Sequence, residues 1–324
     1  MFDLFNQKIK LAFAASTKNL PYSNFGDALS AIIVSALTNR EIVCASFQSS
    51  SEKMSAVGTI LQNFKNGRVN VWGTGLDVTI NHVDKAKHYF NPLQTKADYR
   101  LYAVRGRITA SVFEQFGYKD PGVYGDPAIL CQTLFQSYGL EKKQTKLGFV
   151  GHLTDLESYS DQSNPRKQLA SLIYSPDVKF ISPITKPKVA AVLEKVREIA
   201  CCEYVLSKSL HGLIIAEIFN VPCALAVSGE VKSGRYSVYD YTQCLDHRAR
   251  DFYSGVDVPT ILAYNINQDR KIDFEKVRAF LDENWMPLPD LEEKKKRLIS
   301  VFPERIVSFR EMVNIPESML AVKI

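Results

Sequence analysis

Short apolar runs alternate with stretches of helical period along most of the chain. Runs rich in Val, Ile, Phe and Tyr at 9–16, 41–46, 69–73 and 100–104 predict one set of strands. Runs at 147–151, 178–182, 202–206 and 222–227 predict a second set. Between them, 27–40 places Leu29, Ile32, Ile33, Ala36 and Leu37 on one face of a helix. The segment 187–200 repeats the pattern with Val189, Val192, Leu193, Val196 and Ile199. Strand-helix alternation of this kind predicts parallel sheets covered by helices, an α/β fold. The polar segment 139–146 follows a helix-like stretch and precedes a strand, and so marks a boundary. The expected organisation is a Rossmann-like domain over 1–140 and a second over 147–272, facing each other across a cleft. Helices at 273–324 would follow and cross back to the first domain.

Composition narrows this picture only a little. The chain has 324 residues, 46% of them hydrophobic and 23% charged, enough to bury two ordinary cores without staples. A formal net charge of +5 suits an anionic small ligand or membrane surface and is too weak and dispersed to argue for nucleic acid. The six cysteines, Cys44, Cys131, Cys201, Cys202, Cys223 and Cys244, form no CxxC pair and read as buried reduced thiols. Met1 to Lys10 shows no basic region followed by a long apolar stretch, and no run approaches the ~20 residues that span a bilayer. A cytoplasmic protein is expected, with peripheral contact at the inner face of the membrane as a further option. The tail at 291–313 sets Leu298, Val301, Phe302 and Ile306 beside a basic run, to pack on the first lobe or to graze a lipid surface.

Five segments could carry chemistry. Asn24-Phe25-Gly26-Asp27 lies between the first strand and the first helix, where Asp27 reads as an N-cap or as part of an anion site. Gly73-Thr74-Gly75 follows the third strand and reads as a tight turn or as a place where a ligand approaches the backbone. It lacks the ending of a nucleotide P-loop. Arg105-Gly106-Arg107 also follows a strand, and guanidinium groups bind carboxylate and phosphate in bidentate fashion. Asp126-Pro127 reads first as an N-cap followed by the first helical residue. In Lys208-Ser209-Leu210-His211-Gly212, a strand ends and a helix opens, with His211 in its first turn. Free N–H groups there favour an anion, and an imidazole can move a proton near neutral pH. A hydrogen-bonded structural histidine is the plainer alternative, and the polar setting favours function.

Taken in order, these segments resemble the polysaccharide pyruvyl transferase family, with Gly148-Phe149-Val150-Gly151-His152 similar to the family's strand ending in histidine. The resemblance implies two Rossmann-like lobes in a GT-B-like arrangement. It implies phosphoenolpyruvate as donor and a sugar with two free hydroxyls as acceptor, free or lipid-linked, joined as a pyruvate ketal. No metal and no cofactor beyond the donor substrate are expected. His211 matches the family's catalytic histidine, the candidate acid. Arg105 matches its arginine and would hold the donor. Arg107, Lys208 and His152 are further candidates for the same anion, and Asp27 or Asp126 for a base or for orienting the acceptor. Many members carry arginine where this chain has Ser209, and the family's later basic residue is matched here only by the displaced Arg235. Two rivals stay open: a sugar-nucleotide glycosyltransferase, with Glu217 gripping a ribose, and a non-catalytic glycan-binding member of the family.

Overall fold

The computed structural model describes residues 8–77, 90–135, 143–267 and 271–306. The first half builds a five-stranded sheet from β1 (Ile9–Ala12), β3 (Ile42–Cys44), β4 (Lys53–Ser55), β5 (Asn66–Thr74) and β6 (Lys96–Val104). Its order is β3-β1-β4-β5-β6, and every pairing is parallel. The second half builds a six-stranded sheet from β7 (Thr145–Val150), β8 (Val178–Ile181), β10 (Cys202–Ser207), β11 (Cys223–Val227), β12 (Gly234–Ser237) and β13 (Thr260–Asn265). The order is β12-β13-β11-β10-β7-β8, parallel except for the edge strand β12. The fold is therefore α/β, with two Rossmann-like parallel sheets in a GT-B-like arrangement. Central strands such as β11, Cys-Ala-Leu-Ala-Val, are buried along their whole length, because helices cover both faces of a parallel sheet.

A short antiparallel ribbon ties the halves together: β2 (Ser23–Asn24) pairs with β9 (Ile184–Thr185). It feeds straight into α1 (Phe25–Thr38), ahead of α2 (Arg107–Glu114), α3 (Cys131–Leu134) and α4 (Lys167–Ile173) in the chain, and so fixes the start of α1 against the second half. The periodicity predicts one apolar stripe on α1, but the helix is buried around nearly its whole circumference. It lies between its own sheet and α5 (Val189–Ala200), and a single hydrophobic cluster runs through Phe25, Ile33, Trp72, Ile129, Leu213 and Leu298 of both halves. α6 (Leu210–Ile218) is buried at every position for the same reason.

At the C-terminal side, α8 (Phe274–Asn284) and α9 (Leu291–Ser300) follow β13. α9 reaches residues of the first half: the Trp72 indole donates to the Leu298 carbonyl at 2.8 Å, and Lys295 donates to Gln132 at 2.6 Å. Residues 139–142 of the expected boundary, and 307–313 of the expected tail helix, lie outside the described residues. Among the cysteines, Cys131, Cys201, Cys202 and Cys223 are buried free thiols, whereas Cys44 and Cys244 are exposed. Strands at 53–55, 234–237 and 260–265 were not among the expected elements, nor was the ribbon. Three- and two-residue strands are too short to show a period, and β12 alternates polar residues on an exposed edge.

In both sheets the C-terminal strand ends, at Thr74 and Val104 on one side and Val150 and Ser207 on the other, lead into the loops that carry the chemical residues.

Candidate functional site

The opening of α1 differs from expectation in one respect. Asn24, not Asp27, is the N-cap: its side-chain oxygen accepts from the Gly26 amide at 3.0 Å. Asp27 therefore sits within the first turn, and its carboxylate is not used as the cap. Gly26 is required for space rather than for a special backbone angle. A Cβ there would lie 2.0 Å from Nδ1 of His211, so only glycine lets the imidazole rest on the helix start.

His211 occupies the first turn of α6. The turn before it is pinned by the Ser207 hydroxyl, which donates to the Ser209 carbonyl at 2.7 Å and accepts from the Ser209 amide at 3.1 Å. Gly212 lets the helix press on the sheet, since a Cβ there would lie 2.3 Å from Ser207 Oγ. His211 is 7% exposed and Asp126 is fully buried. Nε2 of the imidazole lies 3.8 Å from Oδ2 of Asp126, and neither atom has a hydrogen-bond partner among the described residues. Asp126 still performs its capping role through its other oxygen, which accepts from the Ala128 amide at 3.0 Å. The cap uses Oδ1, and Oδ2 is the oxygen turned toward the imidazole. Asp27 is recessed with part of its surface accessible, and burial raises its carboxyl above the ordinary carboxylate range. His211 and Arg248 pull it back down, and Asp126 adds to the rise. Two carboxyls thus surround one covered imidazole, and two of the buried polar atoms there make no hydrogen bond among the described residues.

The glycine turn serves packing. Gly73 takes a φ of +80°, and a Cβ there would strike Pro127 Cδ at 2.4 Å. The Thr74 hydroxyl donates to the Ala56 carbonyl at 2.6 Å and is fully buried. The Gly75 amide donates to the Gly58 carbonyl at 2.9 Å, and a Cβ there would lie 2.1 Å from Cζ of Arg105. The close approach expected of a ligand at 73–75 is made instead by the protein's own Asp126 turn and Arg105.

Arg105 is also committed. It is fully buried; Nε donates to Asp251 Oδ2 at 3.0 Å and Nη1 to the Thr59 hydroxyl at 2.6 Å. Asp251 accepts as well from the Thr109 amide at 2.9 Å and hydroxyl at 2.7 Å. This guanidinium therefore anchors α7 (His247–Gly255) of the second half onto the loop after β6, and only Nη2 lacks a partner among the described residues. Arg107 points elsewhere: it pairs with Asp257, beyond the far end of α7, at 2.7 Å, and its guanidinium lies over the Tyr124 ring. Lys208 is paired with Asp155. His152 caps the short turn that follows β7, with Nδ1 2.9 Å from the Thr154 hydroxyl. Burial and then Arg248 hold its pKa below the ordinary histidine value.

Three residues on α7 escaped the sequence reading. His247 Nε2 lies 3.4 Å from Oδ1 of Asp77, which follows β5, Arg248 acts electrostatically on Asp27 and His152, and Asp251 holds Arg105. One signal was present: Asp246 caps the helix, yet the next two residues are His247 and Arg248, against the macrodipole's preference for acids in a first turn. Breaking a local rule in that way marks a position held for another purpose.

Glu217, which the sugar-nucleotide alternative would place on a ribose, lies away from this crevice. Its oxygens accept from Tyr253 at 2.6 Å and from the Trp285 indole at 3.1 Å, and Cys223 at the N-terminal start of β11 also bonds to it. With Arg235, Trp285 and Met286 it lines a cavity of about 310 Å³. Burial pushes its carboxyl from 4.5 up to about 7. A folded pKa raised in this way gives stability that is complete below the ordinary value and is lost as pH rises through the raised one. Wild-type stability should thus fall by roughly 3 kcal/mol across that window from this group alone. Melting temperatures across it should show a slope that Glu217→Gln removes; an unchanged slope in the variant would refute the assignment.

Among the described residues no group of three or more His, Cys, Asp or Glu is arranged to hold a metal ion. No described helix is long and apolar enough to cross a membrane. The family model for polysaccharide pyruvyl transferase matches residues 54–228, more than half of the chain. The match takes in Arg105, Asp126, His152 and His211, and stops short of Asp27 and of α7. No curated protein and no solved structure gave a match.

Proposed function

The chain belongs to the polysaccharide pyruvyl transferase family, and from that membership we propose that it moves the pyruvyl group of phosphoenolpyruvate onto two hydroxyls of a sugar in a surface polysaccharide or its precursor. The supporting observation is the pair formed by His211 Nε2 and Asp126 Oδ2, 3.8 Å apart, covered and unpartnered at the strands' C-terminal ends. In the proposed reaction His211, as imidazolium, delivers a proton to the methylene carbon of the enol. The central carbon becomes cationic and takes the oxygen of a first sugar hydroxyl, whose proton passes to Asp27 or Asp126. The bond from that carbon to the phosphate oxygen then breaks, and inorganic phosphate leaves. Departure of phosphate leaves the central carbon cationic again; the second hydroxyl adds to it and closes the ketal, and its proton returns to the imidazole that gave up the first. Each proton transfer of this kind contributes typically ~10²–10⁴-fold.

Desolvation favours this division of labour. Asp27 with a raised pKa can accept a proton from a hydroxyl and hold it, while the covered recess keeps water from intercepting the cation. The acceptor would be met in the cytoplasm, before export, and the donor is used as a substrate with no further cofactor.

The test is release of inorganic phosphate from phosphoenolpyruvate, measured with and without oligosaccharide or lipid-linked saccharide acceptors. Acceptor-dependent release is the expected result. Binding and turnover of a sugar nucleotide with no response to phosphoenolpyruvate would replace the proposal with a glycosyltransferase. Glycan binding with no release would replace it with the non-catalytic alternative, which Ser209 at a position where many members carry arginine keeps specific.

A further inference from the structure

We propose that Arg248, on the first turn of α7, is the cation that binds the anionic donor, the role the sequence assigns to Arg105. The inference rests on the phosphoenolpyruvate reading of the same crevice. Its ligand class is a small phosphate- and carboxylate-bearing acid.

The placement of the first turn of α7 comes first. Asp251 clamps Arg105 below it, and His247 reaches Asp77 at 3.4 Å beside it, so the turn lies over the C-terminal ends of the first sheet. From there the Arg248 guanidinium acts on Asp27 and Asp77 of the first half and on His152 of the second. Asp27 in turn acts with His211. Arg248 therefore sits within electrostatic reach of the start of α1 and of the loop after β7, on a turn that the Asp251 and His247 contacts hold in place.

Its own geometry suits a ligand. Asp246 binds Nε at 3.0 Å through each oxygen and Nη2 at 2.6 Å, which fixes the orientation of the guanidinium plane. Nη1 makes no hydrogen bond among the described residues, and the side chain is 29% exposed. Burial alone would lower its pKa; the Asp246 bonds and the charges of Asp246, Asp27 and Asp77 more than offset that and keep the group cationic. A guanidinium held on one edge and open on the other is pre-organised to receive an anion with little further ordering.

The other expected cations are taken. Arg105 is sealed against Asp251 and Thr59, Arg107 is spent on Asp257, and Lys208 is spent on Asp155. Ser209 stands where many family members carry an arginine two positions before the histidine, so that position supplies no guanidinium. An arginine arriving from α7 restores the missing charge from the opposite wall.

The experiment measures binding by calorimetry on the full chain, with phosphoenolpyruvate, inorganic phosphate and pyruvate as separate probes. The proteins are wild type, Arg248→Gln, Arg248→Lys and, as a surface control, Arg278→Gln. Loss of one charge-assisted contact should weaken phosphoenolpyruvate binding on the order of 10- to 100-fold in Arg248→Gln, with part recovered in Arg248→Lys and none lost in the control. Melting curves of each variant separate a binding defect from a folding defect. Equal affinity of folded Arg248→Gln and wild type for phosphoenolpyruvate overturns the inference while leaving the family reaction standing. Wild type that binds phosphate through Arg248 but not phosphoenolpyruvate keeps the anion site and removes the donor; wild type that binds none of the three removes both. Which of phosphate or pyruvate loses affinity in Arg248→Gln reports which end of the donor the guanidinium meets.

Discussion

His211→Gln is expected to lower acceptor-dependent phosphate release from phosphoenolpyruvate by ~10²–10⁴-fold, the usual contribution of a positioned proton donor. Glutamine is close to histidine in length and offers an amide in the space between Gly26 and Asp126, so the surrounding packing has little reason to change. The imidazole rests directly on Gly26 and stands edge-on to Phe25, with ring centroids 6.5 Å apart, and both contacts are apolar or backbone. A melting temperature near that of wild type should therefore accompany the loss. The polar interactions removed are those with Asp126, whose Oδ2 already lacks a hydrogen bond, and with the charge of Asp27, so no satisfied hydrogen-bond network is broken. A His211→Gln enzyme that keeps near wild-type turnover would end the assignment of His211 as the acid.

The second large effect is structural. Asp251→Ala should destabilise the protein by about 3–5 kcal/mol, because it strands the fully buried Arg105 guanidinium without its counter-charge. The same carboxylate also satisfies the Thr109 amide and hydroxyl, and those donors are fully buried too. The expected readout is a drop in melting temperature of roughly 5–15 °C. Removing both charges in the Arg105→Met, Asp251→Leu double variant should recover part of the loss, since apolar replacement of a buried pair is often neutral. The double variant also discriminates between two roles for Arg105. If it folds and still binds phosphoenolpyruvate, Arg105 is an anchor between α7 and the loop after β6. If it folds and binding is lost, Arg105 is a donor ligand and the weight placed on Arg248 falls. A single variant, Asp251→Ala, as stable as wild type would show that the ion pair contributes nothing.

Both effects follow from the meeting of the two halves. The ribbon of β2 and β9 sets the start of α1, α1 presents Gly26 to His211, and α7 presents Asp251 to Arg105. None of these contacts is local in sequence: Arg105 and Asp251 are separated by 146 positions. That distance explains why the same arginine reads as a ligand in the sequence and as an anchor in the fold.

What the residues alone determined is the part governed by local periodicity. Long strands such as β5, β6, β7 and β10, and the helices α1 and α5, carry enough apolar positions to show a period, and their places were legible within a few residues. The order of short motifs was equally legible and led to the family. The three-residue β4, the ribbon and the polar edge strand β12 were not, because each owes its structure to a partner rather than to its own pattern. Site chemistry divides along the same line. His211 and Asp126 could be named from a strand giving way to a helix and from an aspartate before a proline. Their approach to each other, the space that makes Gly26 glycine, and the pairing of Arg105 with Asp251 depend on distances across the junction of two sheets. Charge–charge energies and steric contact depend on separation in space, and only the folded chain sets that separation.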